Sequence, residues 1–333
     1  MQFWSQYGLF LAKTFTFVIA LLLLLVGVIA LTRKDKATAG KLEVKNINER
    51  FDEFAETLRD AILTKSEHKK LAKAKKAQAK AKKSEQSSQD NKRIYVLNFS
   101  GDMKASSVSS LREEISAVLR VATQKDEIVV CLESPGGLVA NYGLAASQLR
   151  RVREQKIPLT VIVDKVAASG GYMMACVADR ILAAPFAIIG SIGVVAQLPN
   201  FHRFLKKQDI DFEQLTAGQY KRTLTLFGEN TEKAREKMQE EIEEIHTLFK
   251  NFIQQNRPQV DMAQIATGEH WLGTKALDLK LVDALTTSDD YLLTNSANAD
   301  IYQVTYTTKK SMVEKLSATF SSLTSVFHEI KLL

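Results

Sequence analysis

The chain has 333 residues, of which 45% are hydrophobic and 25% are charged, and this is enough for one sizeable packed domain with appendages. Its formal net charge of +7 is local, because residues 65–93 hold eleven Lys or Arg against three Asp or Glu, and the rest of the chain sums to −1. That distribution excludes a broadly basic surface of the kind that binds nucleic acid. The two cysteines, Cys131 and Cys176, lie in apolar runs without CxxC spacing. They argue against a structural zinc site and predict two buried thiols, with a disulfide left open.

An uncharged run of nineteen residues, "TFTFVIALLLLLVGVIALT", covers residues 14–32. A helix of about 20 apolar residues crosses a bilayer. A cleaved signal peptide is the alternative, since "ATA" at 37–39 resembles a cleavage box, but four charged residues separate the two and the run exceeds the usual core of about 7–15 residues. We therefore predict a leader at 1–13 and an uncleaved transmembrane anchor at 14–32. The basic residues that follow favour a cytoplasmic body by charge counting.

Residues 33–92 are predicted to form a helical, lysine-rich stalk. In 41–83 we expect one helix or two, because apolar residues recur at steps of three and four, namely Val44, Ile47, Phe51, Phe54, Leu58 and Ile62. "KKLAKAKKAQAKAKK" then combines helix-forming residues with few apolar ones, and "SEQSSQDNK" is typical of a linker. The lysine tract is either a solvated arm or a contact with anionic lipid headgroups.

From residue 93 the pattern is typical of an α/β fold. The segments "RIYVLNF", "EIVVCLE" and "PLTVIVD" are continuous apolar strands, with helices predicted at 104–123 and 138–154 between them. Such strands are covered on both faces. We further predict a helix after Ser169, short strands near 180–184 and 187–198, and a long charged helix at 230–256. Residues 296–333 are predicted to form a strand and an amphipathic helical tail, which packs on its own domain or a sister subunit, with a membrane surface as the alternative.

Three glycine-bearing turns adjoin these strands: "ESPGG" (133–137), "AASGG" (167–171) and "GSIGV" (190–194). Ligands gather at strand ends in α/β sheets. Gly136 and Gly137 would let backbone N–H groups approach a substrate oxygen, although a tight turn without a ligand is the simpler interpretation. Ser169 likewise has two interpretations, as the N-cap of the following helix or as a nucleophile.

A serine nucleophile needs a base, and none of the five histidines has a motif around it. Only His202 and His270 fall in predicted loops. A neutral lysine can replace histidine where an apolar site disfavours the ammonium. Lys221, in "TAGQYKRTLTLFG" (216–228), lies among glycine, tyrosine and small hydroxyl residues.

The order of SPGG, AASGGY, GSIGV and G-x-x-K resembles the signal peptide peptidase A (SppA) family over about residues 93–290. The anchor and basic stalk resemble its SohB branch of inner-membrane serine proteases. The resemblance implies a ClpP/crotonase-like fold and a Ser-Lys dyad, with Ser169 as nucleophile and Lys221 as general base. It places Gly136, Gly137 and Gly170 at the oxyanion hole and Ser191 where a hydroxyl would orient the lysine. Arg222 departs from the small polar residue expected after that lysine.

The resemblance thus implies a serine protease domain at 93–295 in a single-pass protein of the bacterial inner membrane, with the domain in the periplasm, against the charge count. The expected activity is hydrolysis of peptides or unfolded protein segments near the membrane, without cofactor or metal. Expected partners are substrate, membrane lipid and further copies of the chain, and no nucleic acid. The alternatives are a catalytically silent tethered scaffold and a crotonase-type acyl-CoA enzyme. The anchor and the Ser-Lys pair argue against the latter.

Overall fold

The computed structural model describes residues 2–32, 40–64, 66–67 and 91–308. They divide into two compact units, one spanning residues 42–306 and the other comprising the residues before and after it. The predicted lysine tract, the ATA box and the tail helix lie mainly or wholly outside the described residues. In the second unit a helix, α1, covers Gln2–Thr32 and includes the predicted anchor. Among the described residues, no helix meets the length and apolarity needed to cross a membrane, so the anchor stays a prediction.

Ten strands and nine further helices follow α1 in the described chain. The strands are β1 (Lys41–Asn46), β2 (Arg93–Ser100), β3 (Glu127–Glu133), β4 (Leu159–Val163), β5 (Val166–Ala168), β6 (Arg180–Ala183), β7 (Ile188–Gly190), β8 (His270–Leu272), β9 (Ala284–Leu285) and β10 (Asp300–Thr307). The helices are α2 (Ile47–Ile62), α3 (Val108–Leu119), α4 (Val139–Glu154), α5 (Gly170–Ala175), α6 (His202–Lys207), α7 (Glu232–Asn256), α8 (Met262–Ile265), α9 (Gly273–Asp278) and α10 (Ser288–Asn295).

The main sheet has seven strands in the order β1-β10-β2-β3-β4-β6-β9. Every pairing from β10 to β9 is parallel. A small second sheet has the order β5-β7-β8, with β5 and β7 parallel. The mixed α/β fold predicted from the apolar strands is confirmed.

Each face of the main sheet has its own core because neighbouring side chains of a strand point to opposite faces. In β2, Leu97 and Phe99 join the larger core, into which α3 and α4 pack. Ile94 and Val96 join the smaller core together with Ile47 of α2. Coverage on both faces explains why β3 and β4 are almost continuously apolar.

The prediction that a helix begins near residue 41 is wrong, because residues 41–46 form β1 at the edge of the sheet. The side chain of Asn46 accepts hydrogen bonds from the N–H groups of Asn48 and Glu49 and so fixes the start of α2 at Ile47. Asn48 then donates to the carbonyls of Ser296 and Ala299 and accepts from the N–H of Ile301. The start of α2 is therefore fastened to the segment that enters β10.

Two other predicted elements are shorter than expected. The helix predicted at 104–123 begins at Val108, because the carboxylate of Asp102 accepts hydrogen bonds from the backbone N–H groups of Lys104 and Ser106 and holds a turn there. The strand predicted at 187–198 ends at Gly190. Both cysteines are free thiols, Cys176 buried and Cys131 half-buried.

Candidate active site

Ser169 lies between β5 and α5 in an unusual backbone conformation, with φ 51° and ψ −118°. A positive φ is uncommon for a residue with a side chain and stores strain. Its N–H donates to the carbonyl of Gly190 and its carbonyl accepts from the N–H of Met173. Its half-buried hydroxyl makes no cap hydrogen bond to α5. The N-cap interpretation of Ser169 is therefore wrong, and its hydroxyl is left for other chemistry.

The first glycine turn is brought against Ser169 by a short parallel bridge. The N–H of Ser134 donates to the carbonyl of Val166, and the carbonyl of Ser134 accepts from the N–H of Ala168. Gly136 then comes so close that a Cβ placed on it would lie 2.8 Å from the Cβ of Ser169. Gly136 also has φ +91°, which disfavours any other residue. Glycine is required here by a close approach of two backbones.

The three glycines predicted for the oxyanion hole differ in what their N–H groups do. The N–H of Gly136 donates to the Oγ of Ser134 at 3.1 Å. Within the described residues, the N–H groups of Gly137 and Gly170 donate to no acceptor. Backbone donors without an internal partner beside a serine are suited to bind a negatively charged oxygen. Gly137 and Gly170 fit that role better than Gly136 does.

Lys221 lies in the irregular segment between α6 and α7 and is exposed. Its N–H donates to the carbonyl of Gly218. Throughout the described part of the chain, no hydrogen bond joins its ammonium to the hydroxyl of Ser169 or to that of Ser191. Ser191 follows Gly190, the partner of Ser169, and has φ 52°. The single chain therefore brings Ser169 and the glycines together, and it joins Lys221 to neither serine.

Residues 195–215, which include α6 and lead into the segment that carries Lys221, expose large apolar side chains. Leu215 is 97% exposed and Val195 is 78% exposed. Phe201, Phe204 and Phe212 of the same region are also exposed. Several large exposed apolar side chains in one stretch of chain are typical of a surface that meets a partner or a ligand.

The histidine alternative finds no support in the described geometry. The ring of His202 lies 3.3 Å from the carbonyl of Phe227, and His270 is an exposed residue of β8. Neither makes a hydrogen bond with Ser169 in the residues described. Among the same residues, no group of three or more His, Cys, Asp or Glu is arranged to hold a metal ion.

Two side chains that the sequence analysis did not single out lie beneath the glycine turn. The Oγ of Ser134 and the phenol oxygen of Tyr142 are 2.6 Å apart, and the phenol donates to the carbonyl of Asp102 at 2.8 Å. Both residues are completely buried. The sequence signal was a serine directly before Pro-Gly-Gly. Its partner on α4 becomes visible only in the fold.

Comparison with known proteins places most of the chain in one family. The model described as "Peptidase family S49 N-terminal" matches residues 2–149, and "Peptidase family S49" matches residues 151–301. The chain is 50% identical to a probable protease SohB of Haemophilus influenzae over 321 residues, covering 93% of this chain and 91% of that one.

The chain is also similar to a second SohB protease and to a solved protease structure. A probable protease SohB of Buchnera aphidicola subsp. Acyrthosiphon pisum is 55% identical over 229 residues, or 69% of this chain and 68% of that one. The solved structure of a membrane-bound stomatin-specific protease covers 70% of this chain and all of that one, at 15% identity and a TM-score of 0.43. That likeness is too weak to bear on fold or activity. The family matches confirm the protease resemblance drawn from the motifs, and the chain belongs to peptidase family S49.

Proposed function

We propose that this peptidase is a serine endopeptidase of the ClpP/crotonase-like class, with Ser169 as nucleophile and Lys221 as general base. The observation that carries the proposal is the geometry of Ser169. Its strained backbone presents a hydroxyl that caps no helix, beside the unengaged N–H groups of Gly137 and Gly170. Lys221 is assigned as the general base because of its position in the G-x-x-K motif.

The mechanism is an acyl transfer in two steps. The deprotonated amine of Lys221 accepts the proton of Ser169 while the serine oxygen attacks a peptide carbonyl. The N–H groups of Gly137 and Gly170 bind the oxygen that becomes negative. Lys221 returns the proton to the leaving amine, and water then hydrolyses the acyl-enzyme with the same lysine as base. Ser191 orients the lysine amine, and Arg222 either raises the positive potential near it or points outward.

The chain works as a homo-oligomer in this proposal, and a neighbouring copy covers the apolar segment that carries Lys221. The exposure of Leu215 and Val195 supports a covered segment. It also accounts for a lysine that makes no hydrogen bond to Ser169 within one chain. The dyad is then completed when subunits assemble.

The anchor at 14–32 holds the enzyme in the inner membrane, with the protease domain in the periplasm and substrates among peptides or unfolded segments near the bilayer. The support is the uncharged run and the resemblance to the SohB branch. Alkaline phosphatase fused after residue 60 should be active, whereas a cytoplasmic domain would leave it inactive.

The function is tested with a fluorophosphonate probe, which labels activated serines. We expect labelling of the full-length protein at Ser169, no labelling of Ser169→Ala, and a rate reduced by about 10²–10⁴ in Lys221→Ala, the usual contribution of a general base. Lys207→Ala, which removes an exposed lysine of α6, is the matched control and should label normally. Absence of labelling in the unaltered protein would favour the silent scaffold.

The same variants test whether the dyad forms between chains. Co-expressed Ser169→Ala and Lys221→Ala subunits, given different tags, should regain rapid labelling on the Lys221→Ala chain if a neighbour supplies the lysine. Continued slow labelling of the Lys221→Ala chain in this mixture would place both dyad members in one subunit. A normal rate in Lys221→Ala would mean that another group is the base.

A further inference from the structure

A chain of buried hydrogen bonds runs beneath the glycine turn at residues 135–137. It begins at the N–H of Gly136, which donates to Ser134 Oγ at 3.1 Å. It continues over 2.6 Å to the phenol oxygen of Tyr142 and over 2.8 Å to the carbonyl of Asp102. The side chain of Ser134 and that of Tyr142 are both shielded from solvent, so water does not substitute for either partner.

The direction of every proton in this chain follows from what each group can do. The carbonyl of Asp102 can only accept, so the phenol of Tyr142 donates its single proton there. The hydroxyl of Ser134 must then donate to the phenol oxygen, and its own oxygen is free to accept from Gly136. Each hydroxyl donates once and accepts once, and such chains strengthen cooperatively. Burial raises the pKa of Tyr142 and keeps it a donor at neutral pH.

The same two residues also touch the turn that holds Ser169. The ring of Tyr142 lies so close to Gly170 that a Cβ there would overlap the ring carbon Cγ. A Cβ on Gly171 would lie 2.5 Å from the carbonyl oxygen of Ser134. Ser134 and Tyr142 therefore contact both the residues that follow Ser169 and the turn that bears Gly137.

We infer that Ser134 and Tyr142 are positioning residues that set the orientation of the oxyanion donors, an inference that rests on the proposed function. Glycine peptides rotate easily, and a Pro-Gly-Gly turn would otherwise sample several orientations. Drawing the N–H of Gly136 inward fixes that peptide and directs the next N–H, that of Gly137, toward the carbonyl attacked by Ser169. Neither positioning residue touches the substrate.

The test compares probe labelling rates of Tyr142→Phe, Ser134→Ala and the unaltered full-length protein across fluorophosphonate concentrations. Tyr142→Phe keeps the ring on Gly170 and removes only the hydroxyl. We expect the maximal labelling rate to fall about 10–100-fold in each variant, since removing an oxyanion donor outright costs about 10²–10³. The half-saturating probe concentration should not change, and the double variant should be no slower than the slower single one, because both break one chain.

The matched control is Tyr291→Phe, which removes the hydroxyl of a half-buried tyrosine, bonded to Glu127 at 2.7 Å on the other face of the sheet. It should label at the normal rate. A purely structural role would lower the fraction of protein that labels and leave the rate constant of that fraction unchanged. Normal rate constants in both positioning variants, or an equal fall in Tyr291→Phe, would overturn the inference.

Failure of the proposed function gives a different result, because the unaltered protein would then not label at Ser169, and the inference would fall with it. If neither variant folds, amide hydrogen exchange in the unaltered protein decides. The amide of Gly136 should exchange slowly and that of Gly137 fast. Fast exchange at Gly136 would show that the chain of hydrogen bonds does not hold the turn.

Discussion

At the scale of single residues, Gly136 and Gly143 differ in whether a residue with a side chain could replace them. Gly136 has φ +91°, and a Cβ on it would lie 2.7 Å from the carbonyl oxygen of Ala168 and 2.8 Å from the Cβ of Ser169. Gly143 lies inside α4, and a Cβ on it would meet nothing within 4 Å. The first glycine is required by geometry, whereas the second only weakens its helix.

We expect Gly136→Ala to lower the free energy of unfolding by about 1–3 kcal/mol from backbone strain and to slow probe labelling at Ser169. Gly143→Ala should raise that free energy by about 1 kcal/mol, the helix propensity difference between the two residues. Urea unfolding midpoints of both variants measure the effect. An unchanged unfolding midpoint in Gly136→Ala would show that the turn is not in close contact with Ser169.

At the scale of elements, α2 buries only the beginning of its apolar stripe. Ile47 is 3% exposed and packs into the smaller core, whereas Phe54, Leu58 and Ile62 are each more than 60% exposed. The stripe therefore does two things along one helix. Its first turn packs against one face of the sheet, and its later turns expose an apolar surface.

Ile47→Ala should cost about 2–4 kcal/mol of unfolding free energy, as a truncated core side chain does. Leu58→Ala lies on the same stripe and should change the free energy by less than about 0.5 kcal/mol. Thermal or urea unfolding of both variants provides the comparison. An equal loss at Leu58 would mean that a partner covers the later turns in solution.

The sequence was informative where a pattern is local and weaker where distant residues decide the structure. Continuous apolar runs located β2, β3 and β4, and the glycine turns located Ser169. "KLEVKN" fits either a strand or the start of an amphipathic helix. It forms a strand because it pairs with β10, which lies some 250 residues later in the chain. No local sequence pattern predicts that pairing. The surroundings of Lys221 were unpredictable for a related reason, because its segment has no regular structure.

At the scale of the whole molecule, Asp126 connects stability to pH. It is 1% exposed, and its carboxylate accepts hydrogen bonds from the backbone and side chain of Arg93 and of Thr123. Burial by itself would raise the pKa of Asp126, but these hydrogen bonds outweigh it and lower the pKa. A lowered pKa stabilises the folded protein above the unfolded value, and the benefit is lost as pH falls through the folded one.

Asp126→Asn should therefore lose about 1–3 kcal/mol of unfolding free energy at pH 7, because buried donors lose their partner. The difference from the unaltered protein should begin to shrink below about pH 4, where Asp126 becomes protonated in the unfolded chain, and should shrink further as pH approaches the lowered pKa of the folded state. Asp278→Asn removes an exposed carboxylate paired with Lys275 at 3.6 Å and serves as the control. Urea midpoints between pH 3 and pH 7 check this, and a constant difference would contradict it.

The position of β10 between β1 and β2 has a consequence for biosynthesis. During translation β1 is synthesised first and β10 last of these strands. The strand β1 therefore has no strand to pair with until almost the whole enzyme has been synthesised. Until then β2 presents an open backbone edge, which invites pairing with other chains. We expect messages truncated before codon 300 to yield insoluble or rapidly degraded products, so that an unfinished protease is removed before it can cut.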